Sequence, residues 1–178
     1  RRAQPVLILA GASPLPSGEE PPDTAGIEDA SALKAALMRR LRAGGNAVKP
    51  AEVEAAFQRL LKNRQILETL RVLRDLVARV DYHSVDVRDE TAFGSLLDDI
   101  YERYGRLDVV VHGAGIIEDK LLRDKTPSSF DNVVLTKADS AFTLQRKLRP
   151  HSLRCLLCMA SISAMFGNRG QADYADAN

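Results

Sequence analysis

Short apolar runs alternate along this chain with longer stretches in which apolar residues recur every three or four positions. The short runs predict strands, and they cover residues 6–10, 79–87, 107–111 and 153–159. Helical periodicity covers residues 29–78, 89–104 and 130–148. Strands that alternate with helices predict an α/β fold with a doubly wound parallel sheet, whose strands are buried by helices on both faces.

The first helical stretch predicts two helices. Leu33, Leu37 and Leu41 recur every four residues, Gly44-Gly45 ends the first helix, and Pro50 opens the second. Residues 13–26, which are rich in proline, glycine and acidic side chains, are expected to form an exposed loop. The second helix has a predicted apolar stripe of Val53, Phe57, Leu60, Leu67, Leu70 and Leu73.

Two further helices follow in the second half of the chain. Asp89 is expected to cap a helix that ends at Gly105. Its predicted apolar face is Phe93, Leu96, Leu97, Ile100 and Tyr104. In the helical stretch 130–148 the predicted buried residues are Phe130, Val134, Phe142 and Leu148.

Charge and cysteine content exclude several functions. The formal net charge is +1, which gives no reason to expect a nucleic-acid or membrane partner, and no apolar run approaches a membrane span. Cys155 and Cys158 form a C-x-x-C pair, which is typical of a redox motif or half a zinc site. No second pair exists and no histidine has ligand spacing, so we expect two inert thiols in a buried strand, no metal, and a reducing cytoplasmic location.

Positive charge is concentrated in one block. Residues 28–80 carry eleven Lys and Arg against six Asp and Glu. Such a block is usually the solvated face of a helix opposite its apolar stripe. The alternative is a docking face for an acidic carrier domain, and the sequence leaves both open.

Residues 160–178 contain a spacing of polar side chains that suits proton transfer to a carbonyl group. Ser161 precedes Tyr174 by thirteen positions, and Asn178 follows the tyrosine by four. A serine and a tyrosine can both donate hydrogen bonds to one carbonyl oxygen, and the phenol can transfer its proton. If Tyr174 begins a helix, Asn178 lies one turn further on the same face. Ser163 is a competing candidate for the serine.

The spacing S-x12-Y-x3-N, with Lys137 in VLTKADSAF, resembles the active site of ketoreductase domains of polyketide and polyunsaturated-fatty-acid synthases. These domains belong to the short-chain dehydrogenase/reductase superfamily. The resemblance covers most of residues 77–178 and the segment LILAGASPLP. It implies one Rossmann-like domain over 1–178, truncated at both ends, with a mainly helical insertion at about 28–78.

The resemblance also implies a reaction, in which NADPH reduces a β-ketoacyl thioester on an acyl carrier protein, alongside other synthase domains. Tyr174 would protonate the developing alkoxide while Ser161 holds the same oxygen. The positive charge of Lys137 would assist the proton transfer, and Asn178 would order the proton relay. Ile117-Glu118-Asp119 stands where the family often has an L-D-D run, and Phe166 and Gln171 stand where substrate-entry residues fall.

Three segments resemble cofactor contacts of the family. HGAG resembles the glycine turn beside the nicotinamide ribose, and VDVRD resembles the strand end whose aspartate faces the adenine. GASPLP resembles a strand end usually written GRSPLP, whose arginine pairs with the 2′-phosphate of NADPH; here Ala12 replaces it. The expected cofactor contacts are Ser13, Asp86, Val87, His112, Gly113, Ala114, Gly115, Lys137 and Tyr174.

A glycine-rich phosphate turn followed directly by a helix is not found in the sequence. We therefore expect the stretch alone to bind NADPH poorly or not at all, which isothermal titration would test. Two interpretations compete with a synthase ketoreductase. One is a free-standing short-chain dehydrogenase acting on another substrate, and the other is a non-catalytic structural segment.

Overall fold

A computed structural model describes residues 5–43 and 47–178. The chain divides into two compact units, residues 1–84 and 85–178. The expected helix end at Gly44-Gly45 lies outside the described residues. The boundaries expected from sequence, one domain over 1–178 with an insertion at about 28–78, stay a prediction.

The first unit is a pair of parallel strands joined by two helices. β1 (Val6–Gly11) pairs with β2 (Arg79–Ser84), in a register that runs from Val6 opposite Arg79 to Gly11 opposite Ser84. α1 (Ala30–Ala43) and α2 (Pro50–Leu76) lie between them in sequence, and α2 packs against both α1 and β2. The long crossover is what parallel pairing requires, because a tight turn can join only antiparallel strands.

The two helices form a hairpin around a small apolar core. Leu33 and Leu37 of α1 pack against Val53 and Phe57 of α2. Pro50 occupies the first turn of α2, as the sequence predicted, since proline lacks only an N–H that would have no helical partner there. The predicted periodicity therefore identified the apolar residues that pack between the two helices.

The loop between β1 and α1 is more ordered than its composition suggests. Arg64 donates to both carboxylate oxygens of Glu20, at 2.7 and 2.8 Å, and to the carbonyl oxygens of Thr24 and Ile27. Arg40 makes a second two-bond contact, to Asp23. Thr24 is fully buried, so the expectation of an exposed loop is wrong at that residue, because two arginines hold the loop against the helices.

The second unit contains two strands and five α-helices among the described residues. They run in the order α3 (Glu90–Tyr104), β3 (Val109–His112), α4 (Pro127–Val134), α5 (Ser140–Lys147), β4 (Cys155–Cys158), α6 (Ser163–Phe166) and α7 (Ala172–Ala177). A 3-10 turn, Leu122–Asp124, precedes α4, and a π turn, Leu135–Asp139, joins α4 to α5. β3 and β4 are parallel, with Val109 opposite Cys155 and His112 opposite Cys158.

Both predicted ends of α3 are confirmed. The side chain of Asp89 accepts a hydrogen bond from the Ala92 N–H at 2.9 Å, and Gly105 ends the helix with φ of 71°. A φ in this left-handed region favours glycine, which has no Cβ to clash with the backbone.

Burial in the strands differs from the prediction. Val109, Val111, Cys155 and Leu157 share one face of the β3–β4 pair and are all exposed, because that face is open to solvent. The prediction that both thiols are buried is wrong, because Cys155 and Cys158 are free and exposed. That the thiols are inert stays a prediction. β1 is likewise only partly buried.

Two predicted core positions in the helices are also wrong. Leu67 is 43% exposed and Phe142 is 56% exposed. The interior residues at these places are Ile66 in α2 and Leu144 in α5, which lie on the faces turned toward packed elements. None of the helices within 5–43 and 47–178 is both long and apolar enough to cross a bilayer.

Candidate active site

The carboxyl ends of β3 and β4 form the edge around which the candidate residues gather. The Met159 N–H donates to the His112 carbonyl at 2.9 Å, which extends the ladder one step beyond β4. Gly113 follows β3 directly, and Ser161 follows β4 by three residues. Ligands of parallel α/β sheets bind beyond this end of the strands.

Lys137 reaches the same edge from the π turn. The residue is 8% exposed, and its ammonium donates to the carbonyl oxygen of Met159. A π turn winds more residues into one turn than an α-helix does, and such turns are frequent at functional sites. The hydroxyl of Thr136, in this turn, donates to the Asn132 carbonyl of the preceding helix α4 at 2.6 Å. Lys137 therefore directs its charge into the unit, at the segment that leads from β4 to Ser161.

His112 is the buried neighbour of Lys137. It is 4% exposed, and its Nε2 lies 2.7 Å from the Ser140 hydroxyl. Burial, and secondarily the positive charge of Lys137, lower the pKa of His112 below its ordinary value of 6.5. With its pKa below 6.5, His112 is neutral near pH 7. The effect on His112 also shows that the positive charge of Lys137 acts electrostatically on the last residue of β3.

The two candidate serines have different surroundings. Ser163 is buried, and its hydroxyl donates to the Gln171 side-chain oxygen at 3.1 Å. The Ser161 oxygen accepts from the Ser163 N–H at 3.2 Å, while its own hydrogen has no acceptor within the described part of the chain. This favours Ser161 as the donor to a bound carbonyl, since the hydroxyl of Ser163 is already used.

Tyr174 lies in the first half of α7, and Asn178 ends that helix. The side-chain amide of Asn178 donates to the Tyr174 backbone carbonyl at 2.8 Å, which their four-residue spacing allows. The phenol oxygen of Tyr174 has no hydrogen-bond partner among residues 5–43 and 47–178, so its hydroxyl is available. α7 packs against α4 and against the π turn that carries Lys137.

Three contacts tie the start of α7 to residues 118–125. The Lys120 N–H donates to the Gly170 carbonyl at 2.9 Å, and the Gln171 amide donates to Asp119 at 3.0 and 3.2 Å. The third is an ion pair between Lys125 and Asp173. Sequence reasoning did not single out this pair, although an acidic residue directly before the tyrosine was visible.

The backbone at the HGAG turn is open, as a bound dinucleotide would require. A Cβ added at Gly115 would meet no atom within 4 Å, and one at Gly113 would approach only Met159 Cγ, at 3.8 Å. A ligand can therefore come close to the main chain at Gly113 and Gly115. With a buried ammonium nearby, these residues fit a nicotinamide ribose.

The other expected cofactor contacts already have partners within the chain. The carboxylate of Asp86 is held by the Arg88 guanidinium at 2.6 Å, and this pair lowers the pKa of Asp86; the half-buried Val87 lies between them in sequence. Ser13 lies in the first unit, and its carbonyl accepts from the Tyr82 hydroxyl at 2.7 Å. The structure thus groups the HGAG turn with Lys137, while Asp86 is bound to a neighbour.

Comparison with known proteins decides the family. The model of the KR domain matches residues 35–178. The chain belongs to the KR domain family. It is 29% identical over 177 residues to a polyunsaturated fatty acid synthase protein of Thraustochytrium sp. (strain ATCC 26185 / S-3), covering 96% of this chain and 6% of the relative.

Solved ketoreductases of this kind have the same fold. An N-terminal ketoreductase from the macrolactin assembly line aligns with a TM-score of 0.61 and 30% identity over 65% of this chain and 24% of that one. A ketoreductase domain from the bacillaene assembly line aligns with 0.60 and 31%, over 75% of this chain and 28% of that one. The predicted α/β, Rossmann-like class and the ketoreductase family of the short-chain dehydrogenase type are therefore confirmed. The chain spans only a small part of each relative's length.

Proposed function

We propose that the protein containing this KR chain reduces a β-ketoacyl thioester, carried on an acyl carrier protein, to the β-hydroxyacyl thioester, with NADPH as the reductant. The observation that carries the proposal is the buried ammonium of Lys137 at the carboxyl end of β4, on an element packed against the helix of Tyr174. Family membership supports the reaction class.

The chain's own residues would act on the ketone oxygen. Ser161 would donate its free hydroxyl hydrogen to that oxygen, which gains negative charge in the transition state. Tyr174 would donate the proton that completes the alcohol. A bound NADPH would supply the hydride.

Lys137 and Asn178 would support the proton transfer. A fixed positive charge near the phenol stabilises the negative charge that remains when its proton leaves. Asn178, whose amide N–H is held by the Tyr174 carbonyl, keeps its side-chain oxygen for a water or a second donor. The four residues would then form a relay from solvent to the ketone oxygen.

Residue 12 supplies no contact that would select NADPH over NADH. Ala12 supplies no guanidinium for a 2′-phosphate, and the Ser13 hydroxyl is a neutral substitute. The remaining expected contacts, at Asp86, Val87 and His112–Gly115, serve the parts that both cofactors share. We expect a measurable preference for NADPH to depend on groups other than residue 12.

Oxidation of NADPH by the full-length protein, with a β-ketoacyl N-acetylcysteamine thioester as substrate, tests the proposal. Tyr174→Phe is expected to lower kcat by about 10²–10⁴-fold because the general acid is lost. Tyr104→Phe, on α3, is the matched control and is expected to keep wild-type turnover.

Several outcomes would contradict parts of the proposal. Full turnover in Tyr174→Phe removes the phenol from its role. Turnover with NADH alone corrects the cofactor. A wild-type protein inactive with both cofactors, and also with the carrier-bound substrate, would favour a non-catalytic structural segment.

A further inference from the structure

A buried ion pair lies one residue before the candidate proton donor. The Lys125 ammonium is 2.5 Å from the Asp173 carboxylate, and the two side chains are 2% and 1% exposed. Lys125 follows the 3-10 turn and precedes α4, while Asp173 belongs to the first turn of α7. The proposed chemistry uses neither residue.

Further hydrogen bonds hold both charges in one geometry. The Lys125 ammonium also donates to the Glu118 carbonyl at 2.6 Å. The second carboxylate oxygen of Asp173 accepts the Tyr174 backbone N–H at 2.9 Å. The carboxylate thus connects the Lys125 ammonium directly to the main chain of Tyr174.

Such a pair is a poor source of stability. Removing two charges from water is costly, and well-packed apolar side chains of similar volume often give equal or greater stability. The exposed pair of Lys147 with Asp98, 37% and 47% exposed at 2.6 Å, carries no comparable penalty. What a buried pair can provide is a single geometry, because a shift of either partner leaves a charge unpaired.

We infer that Lys125 and Asp173 are positioning residues, which fix the Tyr174 main chain, and with it the phenol, relative to the end of the sheet. The inference rests on the proposed role of Tyr174. The other ties of α7, from Lys120 and Gln171, lie before its first turn. Of these three contacts the ion pair is the closest in sequence to Tyr174, and by this inference it sets the depth and rotation of the helix there.

The experiment uses the full-length protein with the double change Lys125→Met/Asp173→Leu. This removes both charges and leaves apolar side chains, so the melting temperature should change little. A positioning role predicts that kcat for the β-ketoacyl thioester falls by about 10²-fold, as expected when a reacting group is misplaced by about 1 Å, with KM nearly unchanged. The matched control, Lys147→Met/Asp98→Leu, is expected to keep the wild-type kcat.

A second readout does not need turnover. Hydrogen–deuterium exchange of the peptide that contains Tyr174 should become about tenfold faster in the double variant and stay at the wild-type rate in the control. If the wild-type protein reduces no thioester, the proposed function fails by itself, and the exchange rates still decide whether the pair holds α7. Should the double variant not fold, Lys125→Met/Asp173→Asn, which also removes both charges and keeps an acceptor for the Tyr174 N–H, replaces it in both measurements. The inference would be overturned if the double variant exchanged the Tyr174 peptide at the wild-type rate and, provided that the wild-type protein is active, also kept the wild-type kcat.

Discussion

Replacing Lys137 by methionine separates the stability of the site from its chemistry. Methionine keeps most of the length of the side chain and removes its charge. Within residues 5–43 and 47–178 the ammonium donates one hydrogen bond, to the carbonyl of Met159, a residue that is itself 59% exposed. The change therefore removes the charge and leaves few buried groups unpaired.

The expected energies have opposite signs. Loss of a hydrogen bond from a charged donor costs about 1.5–3 kcal/mol. Relief from burying an ammonium contributes on the order of several kcal/mol in the other direction. We therefore expect the free energy of unfolding to stay within about 1 kcal/mol of wild type or to rise, while kcat falls by about 10²–10⁴-fold because the proton transfer loses its supporting charge.

The same change should alter the titration of His112. The Lys137 charge is the second cause, after burial, of its lowered pKa. In Lys137→Met the pKa of His112 rises toward its unfolded value, so less stability is lost as the pH falls below about 6.5. Thermal melts at several pH values measure this.

Urea denaturation and NADPH oxidation on the full-length protein measure the other two effects. Lys147→Met, on α5 and half-exposed, is the control for losing a lysine and should keep wild-type turnover. A loss of more than about 3 kcal/mol in Lys137→Met would make the lysine a structural residue, since it exceeds the lost hydrogen bond. Unchanged turnover would refute its role in the relay.

Three further tests use substitutions with expected outcomes. Ser161→Ala should lower kcat by about 10²–10³-fold with little change in melting temperature. Ser163→Ala removes one of the two donors to the Gln171 side-chain oxygen, the other being Asn168, and should lower stability by about 0.5–1.5 kcal/mol. A larger kcat loss in the second variant would exchange their roles. The folded state lowers the pKa of His112, so the unfolded state binds this proton at a higher pH. The contribution of the neutral His112 to the unfolding free energy is therefore fully present above about pH 6.5 and declines as the pH falls. Thermal melts of His112→Gln should lack this part of the decline. Arg64→Met should lower the unfolding free energy, measured by urea denaturation, by about 2–4 kcal/mol because four hydrogen bonds are lost. Arg71→Met, which breaks an exposed ion pair with Glu68, is the control and should leave the unfolding free energy nearly unchanged. Equal effects of the two substitutions would contradict this reasoning.

Local signals predicted the elements of the fold well. Asp89 and Gly105 end α3 where they were expected, because a side-chain cap and a left-handed glycine act over a few residues. Pro50 begins α2 for the same reason. Helix geometry places residues four apart about one turn from each other, and the side-chain amide of Asn178 accordingly reaches the Tyr174 carbonyl.

Burial was predicted less well, because it depends on what covers a residue. An apolar run such as that around Cys155 predicts a strand, yet the run cannot say whether a helix lies over each of its faces. Phe142 shows the same effect in a helix. Its spacing fits a core residue, yet it lies on the exposed face of α5, while Leu144 lies on the buried face.

The sequence by itself determined the family and the order of most strands and helices, since motif spacing and local propensity depend on residues close together in the chain. It also proposed the catalytic set Lys137, Ser161, Tyr174 and Asn178, which stays a prediction. Only the tertiary structure decided that a π turn buries Lys137 beside His112, that Ser163 is already hydrogen-bonded, and that Lys125 meets Asp173 across 48 positions. These are contacts between distant segments, and their energies depend on burial and mutual orientation, which a linear pattern does not contain.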